Sequence, residues 1–327
     1  VSESPQPDVL VTGGAGFIGS ALVSALRRDG TPVTVLDRLP WPDATRLSEF
    51  SDDSGVVYHQ VALDDSAALR PVAGGHRIVY HLAANTENRT DRAGLVDDLE
   101  GTVASTVALL GALSDEPDVS IVLTSSQLVY APGATEQPIT ELTGVIEPTT
   151  RFAAGKIAAE AFLRAHCHER GHRGAVCRLA NIVGPGMRRG ILYDFVQKVR
   201  SDPTSLRVLG DGRQTRSYLH VDDCARALRA AASNAQGITT FNVCNTDALD
   251  AGSVAGIVAE EAPGSAPVIV YDGGEAGWRG DVPTLRVRPE RLLDLGWRPT
   301  MSSAEAVRDS VRGLFAMGVE ANRAADT

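Results

Sequence analysis

Gly13, Gly16 and Gly19 stand three residues apart in VTGGAGFIGS, between an apolar run and a stretch with helical periodicity. Glycines at that spacing let the backbone turn tightly and approach a pyrophosphate closely. They also aim the amides of a helix N-terminus, here those of Phe17 and Ile18, at the phosphates. Such a motif is weak alone, but its context agrees, because Asp37 closes the next apolar run. A carboxylate there accepts hydrogen bonds from ribose hydroxyls and repels a 2′-phosphate. The pattern predicts a dinucleotide site with NAD as cofactor. Arg38, whose guanidinium could pair with that phosphate, leaves NADP as the less favoured choice.

Other reactive residues read as scaffold. His166, Cys167, His168 and His172 look like a metal set by composition. Their spacing puts neighbours on different helix faces, and Gly171 ends the helix before His172, so a frayed, solvated helix end is expected and no metal. Ser125 and Ser126 lie at a strand end without a G-x-S-x-G elbow, so hydrolase chemistry is not expected. The four cysteines, Cys167, Cys177, Cys224 and Cys244, are too few and scattered for a disulfide scaffold or a zinc site.

The elements that must hold these residues follow from periodicity. DVLVTG (8–13), TPVTVLDR (31–38), VVYHQVAL (56–63), HRIVYHLAA (76–84), VSIVLTSS (119–126) and GAVCRLANIV (174–183) read as strands. They are rich in Val and Ile with little alternation, as in strands buried on both faces. Helical patterns at 17–30, about 95–114 and 153–170 fall between them. That rhythm predicts an α/β fold, a Rossmann doubly wound parallel sheet. Beyond 183, Gly, Pro and Arg become frequent, in VGPGMRRG (183–190) and LGDGRQTRSY (209–218), before a last helix near 302–316. The expected division is an NAD-binding domain over 1–182, to which about 219–247 returns, and a smaller C-terminal substrate-binding domain over 183–218 and 248–327.

The 327 residues carry 31 Lys and Arg against 41 Asp and Glu, a net charge of −10 with no basic block, which is a poor fit to nucleic acid. With 43% hydrophobic and 22% charged residues, the chain is neither disordered nor a coiled coil. No apolar run approaches the roughly 20 residues of a membrane span, and no basic-then-apolar leader is seen. A soluble, reduced, cytoplasmic protein without a membrane partner is expected.

Seven motifs occur in order: TGGAGFIG, HLAAN (81–85), TSSQLVY (124–130), FAAGK (152–156), RLANIVGPG (178–186), GDGRQTRSYLHVDD (210–223) and WRGDV (278–282). With them the chain resembles the extended short-chain dehydrogenase/reductase family, specifically its NAD-dependent nucleotide-sugar epimerases and dehydratases. The likeness runs from about Val9 to Trp297. It implies that Leu63, Leu82, Ala83, Ala84 and Thr124 lie along the cofactor with the glycines. It also implies a catalytic Ser or Thr, a Tyr and a Lys. In the family the Tyr is the acid/base toward a sugar hydroxyl. The Lys lowers that phenol's pKa and binds the nicotinamide ribose, and the Ser or Thr steadies the same oxygen. Ser126 and Lys156 match, but the Tyr position is Phe152. A phenyl ring has no proton to exchange. Phe152 is either an engineered exchange that traps a substrate complex or a natural variant that uses another base or none. Tyr130, at the family's V-Y position, reads as a structural tyrosine. Two further departures are Asp98, where the family has Asn before Gly101 and Thr102, and Ala62, where it has an Asp that meets adenine, although Asp64 and Asp65 stand close by.

On the substrate side the resemblance implies that Asn181, Arg216 and Arg279 bind the pyrophosphate of a nucleoside-diphosphate sugar, as a planar Arg fork suits phosphate. Asn85, with Thr86 and Glu87, which follow the fourth strand, is expected to line the sugar pocket. The role of Arg188 and Arg189, on the loop that follows, is open. Gln127 and Leu128 replace the Asp-Glu pair of the 4,6-dehydratases, so conventional dehydration is disfavoured. Epimerisation at C4 with recycled NAD is the leading expectation. A 4-ketoreductase or an atypical dehydratase or decarboxylase is the alternative, and an NAD-binding sensor or scaffold is the rival outside enzymes. The family also implies a homodimer through the helices at about 95–114 and 153–170.

Overall fold

A computed structural model describes residues 8–86, 95–131, 138–274 and 285–317. In chain order the strands are β1 (Val9–Thr12), β2 (Val33–Asp37), β3 (Val56–Gln60), β4 (Ile78–His81), β5 (Ser120–Ser126), β6 (Arg173–Leu179), β7 (Asn181–Val183), β8 (Ser205–Val208), β9 (Thr215–Arg216), β10 (Tyr218–His220), β11 (Ile238–Val243), β12 (Leu249–Asp250) and β13 (Val268–Tyr271). The helices are α1 (Phe17–Arg28), α2 (Ser66–Ala73), α3 (Leu95–Asp98), α4 (Ser105–Ala112), α5 (Arg151–Arg170), α6 (Ile191–Ser201), α7 (Val221–Asn234), α8 (Ala251–Glu260), α9 (Glu290–Asp294) and α10 (Ser303–Ala316).

Seven strands form one parallel sheet in the order β11-β6-β5-β4-β1-β2-β3. The Rossmann doubly wound fold expected from the sequence is therefore present. Apolar clusters fill both faces: Val9, Leu22, Val33, Leu228 and Phe241 on one, Leu10, Leu36, Ile121, Leu163 and Val176 on the other. Strand order reverses between β1 and β4, which opens a crevice at their carboxyl ends, the usual ligand position in such sheets. A third apolar cluster, with Leu192, Phe195, Leu206, Val254 and Val307, lies among α6, α8, α10 and β8.

Several local expectations change. The run 174–183 is two strands, because β7 leaves the main sheet after Leu179 and pairs with β10. The helix expected over 95–114 is interrupted by a π-helical stretch, Leu99–Ala104, a local widening that often marks functional sites. β3 is an edge strand, so its side chains are only partly buried. ITTFNV, in the region where the rhythm loosens, is the seventh strand of the sheet. The end of α5 is solvated at His168, Glu169 and Arg170, as expected, but it is not frayed. Gly171 stops the helix in the left-handed region (φ 72°) and turns His172 back beneath it. His172 Nε2 donates to the Glu116 carbonyl at 2.8 Å, so its Nδ1 accepts from His166 Nε2 at 3.0 Å, and both rings are buried. Among the described residues no three metal-ligating side chains cluster, and no helix is long and apolar enough to cross a membrane.

Candidate active site

The turn from β1 into α1 is packed backbone against backbone. Gly13 has φ 70°, which side-chain-bearing residues rarely adopt, and a Cβ there would stand 2.7 Å from the Ala83 amide nitrogen. A Cβ on Gly19 would stand 2.1 Å from the Gly13 carbonyl oxygen. Gly16 is the N-cap of α1 and offers no side-chain cap, which suits the first-turn amides to an anion. Asp37 is aimed at the same turn: Oδ2 accepts from the Ala15 amide at 3.0 Å and Oδ1 from the Leu39 amide at 3.2 Å. A glycine cradle that any Cβ would fill, an uncapped helix start and a fixed carboxylate fit the pyrophosphate and ribose of a dinucleotide. Leu82, Ala83 and Ala84 are half-buried on the loop after β4 that touches Gly13, and Leu63 is half-buried after β3. Arg38 is exposed. Asp65 instead caps α2 through the Ala68 amide, and Ala62 and Asp64 are exposed.

The end of β5 forms a shelf across the crevice. Thr150 caps α5 through the Ala153 amide, which sets the helix phase and directs Lys156 at the strand. Lys156 Nζ donates to the Thr124 carbonyl at 2.9 Å and is almost wholly buried. Burial pushes its ammonium down to about 8, against the opposing pull of the Glu160 carboxylate. Ser126 Oγ, two residues beyond Thr124, accepts from the Leu128 amide at 3.2 Å. Phe152 is half-buried one turn before Lys156, with Nζ 5.9 Å from its ring centroid. The shelf thus brings Ser126, Phe152 and Lys156 to one place, and residue 152 contributes a cation–π surface rather than a hydroxyl.

Tyr130 is elsewhere. Its ring is 2% exposed beneath the Arg178 guanidinium, and its hydroxyl donates to Asn242 Oδ1 at 2.6 Å. Burial raises that phenol, so it is a structural tyrosine. His81, at the end of β4, shares hydrogen bonds with Thr12 Oγ1 (2.8 Å) and Thr106 Oγ1 (3.0 Å). Burial and the nearby Lys156 charge push its imidazole down to about 3, so it stays neutral.

The expected substrate residues fall on the loops beyond the sheet. Asn85 Nδ2 donates to the buried Asp98 carboxylate at 2.9 Å. Asn181 begins β7 and its Oδ1 accepts from the buried Gln127 Nε2 at 3.5 Å, while Gln127 Oε1 has no partner among the described residues. Arg216 lies on β9 and donates to its neighbour's carbonyl, that of Thr215, at 2.9 Å. Arg279, like Glu87 and the rest of WRGDV, lies outside the described residues. Loop 184–190 is tied at both sides. Arg46 donates to the Gly186 carbonyl at 2.8 Å and Arg189 to Thr86 Oγ1 at 3.0 Å. Sequence reasoning missed the buried pair Glu160–Arg178 behind the shelf; its signals are Glu160 four residues after Lys156 and a charge inside the apolar run AVCRL.

Residues 9–244 match the model of the NAD dependent epimerase/dehydratase family. The chain belongs to that family. NAD is accordingly its cofactor. Among curated relatives of the family, the UDP-glucose 4-epimerase of Mycolicibacterium smegmatis is 29% identical over 92% of this chain and 96% of its own. Among solved structures, a UDP-galactose 4-epimerase is 32% identical, with TM-score 0.81 and 94% and 98% of the two chains covered. MoeE5 in complex with UDP-glucuronic acid and NAD is 27% identical, with TM-score 0.80 over 94% and 98%.

Proposed function

We propose that the chain binds NAD and a nucleoside-diphosphate sugar and works at sugar C4 through a transient 4-keto sugar, with epimerisation as the outcome and Phe152 as a brake on it. The observation that carries this reading is the shelf: Lys156 on the Thr124 carbonyl, beside Ser126 and across from the glycine cradle. Similarity to 4-epimerases over nearly the whole chain supports it, as does the neutral Gln127–Leu128 pair where a dehydratase has acids.

In this reading Gly13, Gly16, Gly19 and the amides of Phe17 and Ile18 take the pyrophosphate, Asp37 the ribose hydroxyls, and Lys156 the second ribose. Bound there, the nicotinamide supplies a hydride acceptor and donor. The Ser126 hydroxyl donates to the sugar oxygen at C4. Asn181, Arg216 and Arg279 hold the sugar nucleotide's pyrophosphate, and the third apolar cluster carries that wall of the cleft. Oxidation at C4 must also release the hydroxyl proton. A phenol at 152 beside the Lys156 ammonium would take it, but the phenyl ring of Phe152 does not. A missing general base slows such a step by about 10²–10⁴. The Val96, Leu99, Val107 and Phe162 side chains are exposed on α3, α4, α5 and the π-helical stretch. They suit a cytoplasmic homodimer through these helices, which sedimentation would register as twice the chain mass.

The test compares the chain with Phe152→Tyr on UDP-, dTDP-, GDP-, ADP- and CDP-sugars with NAD, reading products by NMR. The expected result is a gain in turnover of about 10²–10⁴ for Tyr at 152, with a C4 epimer as product. Equal turnover of both forms would mean another base. NAD binding without turnover in either form favours the sensor or scaffold reading, and stoichiometric consumption of NADH favours a reductase.

A further inference from the structure

A buried polar chain runs behind the shelf. Ser125 Oγ donates to Glu160 Oε1 at 2.5 Å, and Arg178 grips the same carboxylate twice, Nε to Oε1 at 3.0 Å and Nη2 to Oε2 at 2.7 Å. The Arg178 and Glu160 side chains are 8% and 4% exposed. A buried ion pair adds little net stability, since desolvation offsets most of the attraction, so its position calls for another reason.

Lys156 and Glu160 are four residues apart and therefore share a face of α5. They seize consecutive residues of β5: Lys156 holds the Thr124 carbonyl, Glu160 the Ser125 hydroxyl. The next residue is Ser126. One helix thus grips one strand at two successive points immediately before the shelf hydroxyl, and this sets the height of residues 152 and 156 against it. The charged and titratable groups facing Lys156 are Glu160 on its own helix and the neutral His81 on β4, with Arg178 of β6 behind Glu160.

We infer that Glu160 is a positioning residue, which locks α5 to β5 through Ser125 and keeps the Lys156 side chain charged where it meets the cofactor. This rests on the reading of Lys156 proposed above.

The experiment measures NAD affinity of the full chain by calorimetry between about pH 6.5 and 9.5, the range around the Lys156 titration. Three variants accompany it: Glu160→Gln, the neutral pair Glu160→Gln with Arg178→Gln, and Lys156→Met. Affinity of the unchanged chain should fall as Lys156 loses its proton near pH 8. With Glu160→Gln the midpoint should move down by about one pH unit, so affinity at pH 8.5 drops about five- to tenfold and at pH 6.5 changes less than about twofold. The paired variant leaves no unpaired guanidinium at 178. It should melt higher than Glu160→Gln alone, and its midpoint should still be lowered. A folded variant with reduced affinity at every pH and an unmoved midpoint would show a purely structural salt bridge and overturn the inference. Lys156→Met separates this from the parent reading. Loss of the alkaline limb in that variant upholds Lys156 as the titrating group, whereas an unchanged profile removes the reading of Lys156 and Glu160 with it.

Discussion

The turn from β1 into α1 is built of backbone, and the shelf between β5 and α5 is built of side chains. At the turn, Gly13 needs a positive φ, Gly19 leaves no room for a Cβ, and Asp37 is tied to the loop by the Ala15 amide. At the shelf, Lys156 reaches a carbonyl, Glu160 reaches a hydroxyl and Phe152 presents its ring toward the Lys156 ammonium. A backbone cradle fails when one methyl group is added, because the whole chain path must shift. A side-chain shelf can lose one oxygen, and with it a proton acceptor, while every supporting contact remains. In the proposed reading, binding and chemistry are therefore separable in this molecule.

The sharpest way to break that contrast is Gly19→Ala. Its Cβ would sit 2.1 Å from the Gly13 carbonyl, and neither atom belongs to a flexible side chain. Overpacking of this kind is expected to destabilise by about 3 kcal/mol and to abolish NAD binding. The same exchange at Gly111, inside α4 with nothing within 4 Å of where the added methyl group would stand, should instead stabilise by about 0.5–1 kcal/mol. Thermal melts and NAD titration of the two variants decide the matter. A Gly19→Ala protein that melts normally and binds NAD would mean the turn is not a rigid cradle.

Asp37→Ala probes the one side chain the cradle does use. It removes a charged acceptor worth about 1.5–3 kcal/mol, so NAD affinity should fall about ten- to a hundredfold, with the fold retained. If NADP then binds as well as NAD, the carboxylate was acting mainly by repulsion, with Arg38 near enough to assist.

This division also explains what the sequence made legible. The glycine spacing and Asp37 were readable because a phosphate cradle places demands on backbone, and only glycine meets them. The parallel sheet was readable from apolar runs, except where local pairing overrides composition: β7 parts from β6 at Ala180, and β11 hides in ITTFNV, outside the regular alternation. The π-helical stretch has no periodicity signature of its own, so 95–114 read as one helix. Residues 126, 152 and 156 were named together only through family likeness; the Thr150 cap that fixes the phase of α5 was not read from the sequence. The His166–His172 pair and the Glu160–Arg178 pair were misread or missed for one reason. Both depend on partners brought in by tertiary packing, Glu116 and Ser125, which no local spacing shows.

The smallest expected effect tests whether the shelf truly lacks its base. Tyr130 is the phenol nearest in sequence to Ser126, yet its hydroxyl is spent on Asn242 and its ring lies under Arg178. Tyr130→Phe keeps the ring and the cation–π contact and removes one buried hydrogen bond, which should lower stability by about 1 kcal/mol. Turnover of the Phe152→Tyr form should stay within about twofold, since an acid/base group contributes about 10²–10⁴ and Tyr130 is not one. A loss of several orders of magnitude would place the proton acceptor at residue 130. The shelf would then be complete without a tyrosine at 152, and the separation of binding from chemistry would have to be drawn between other residues.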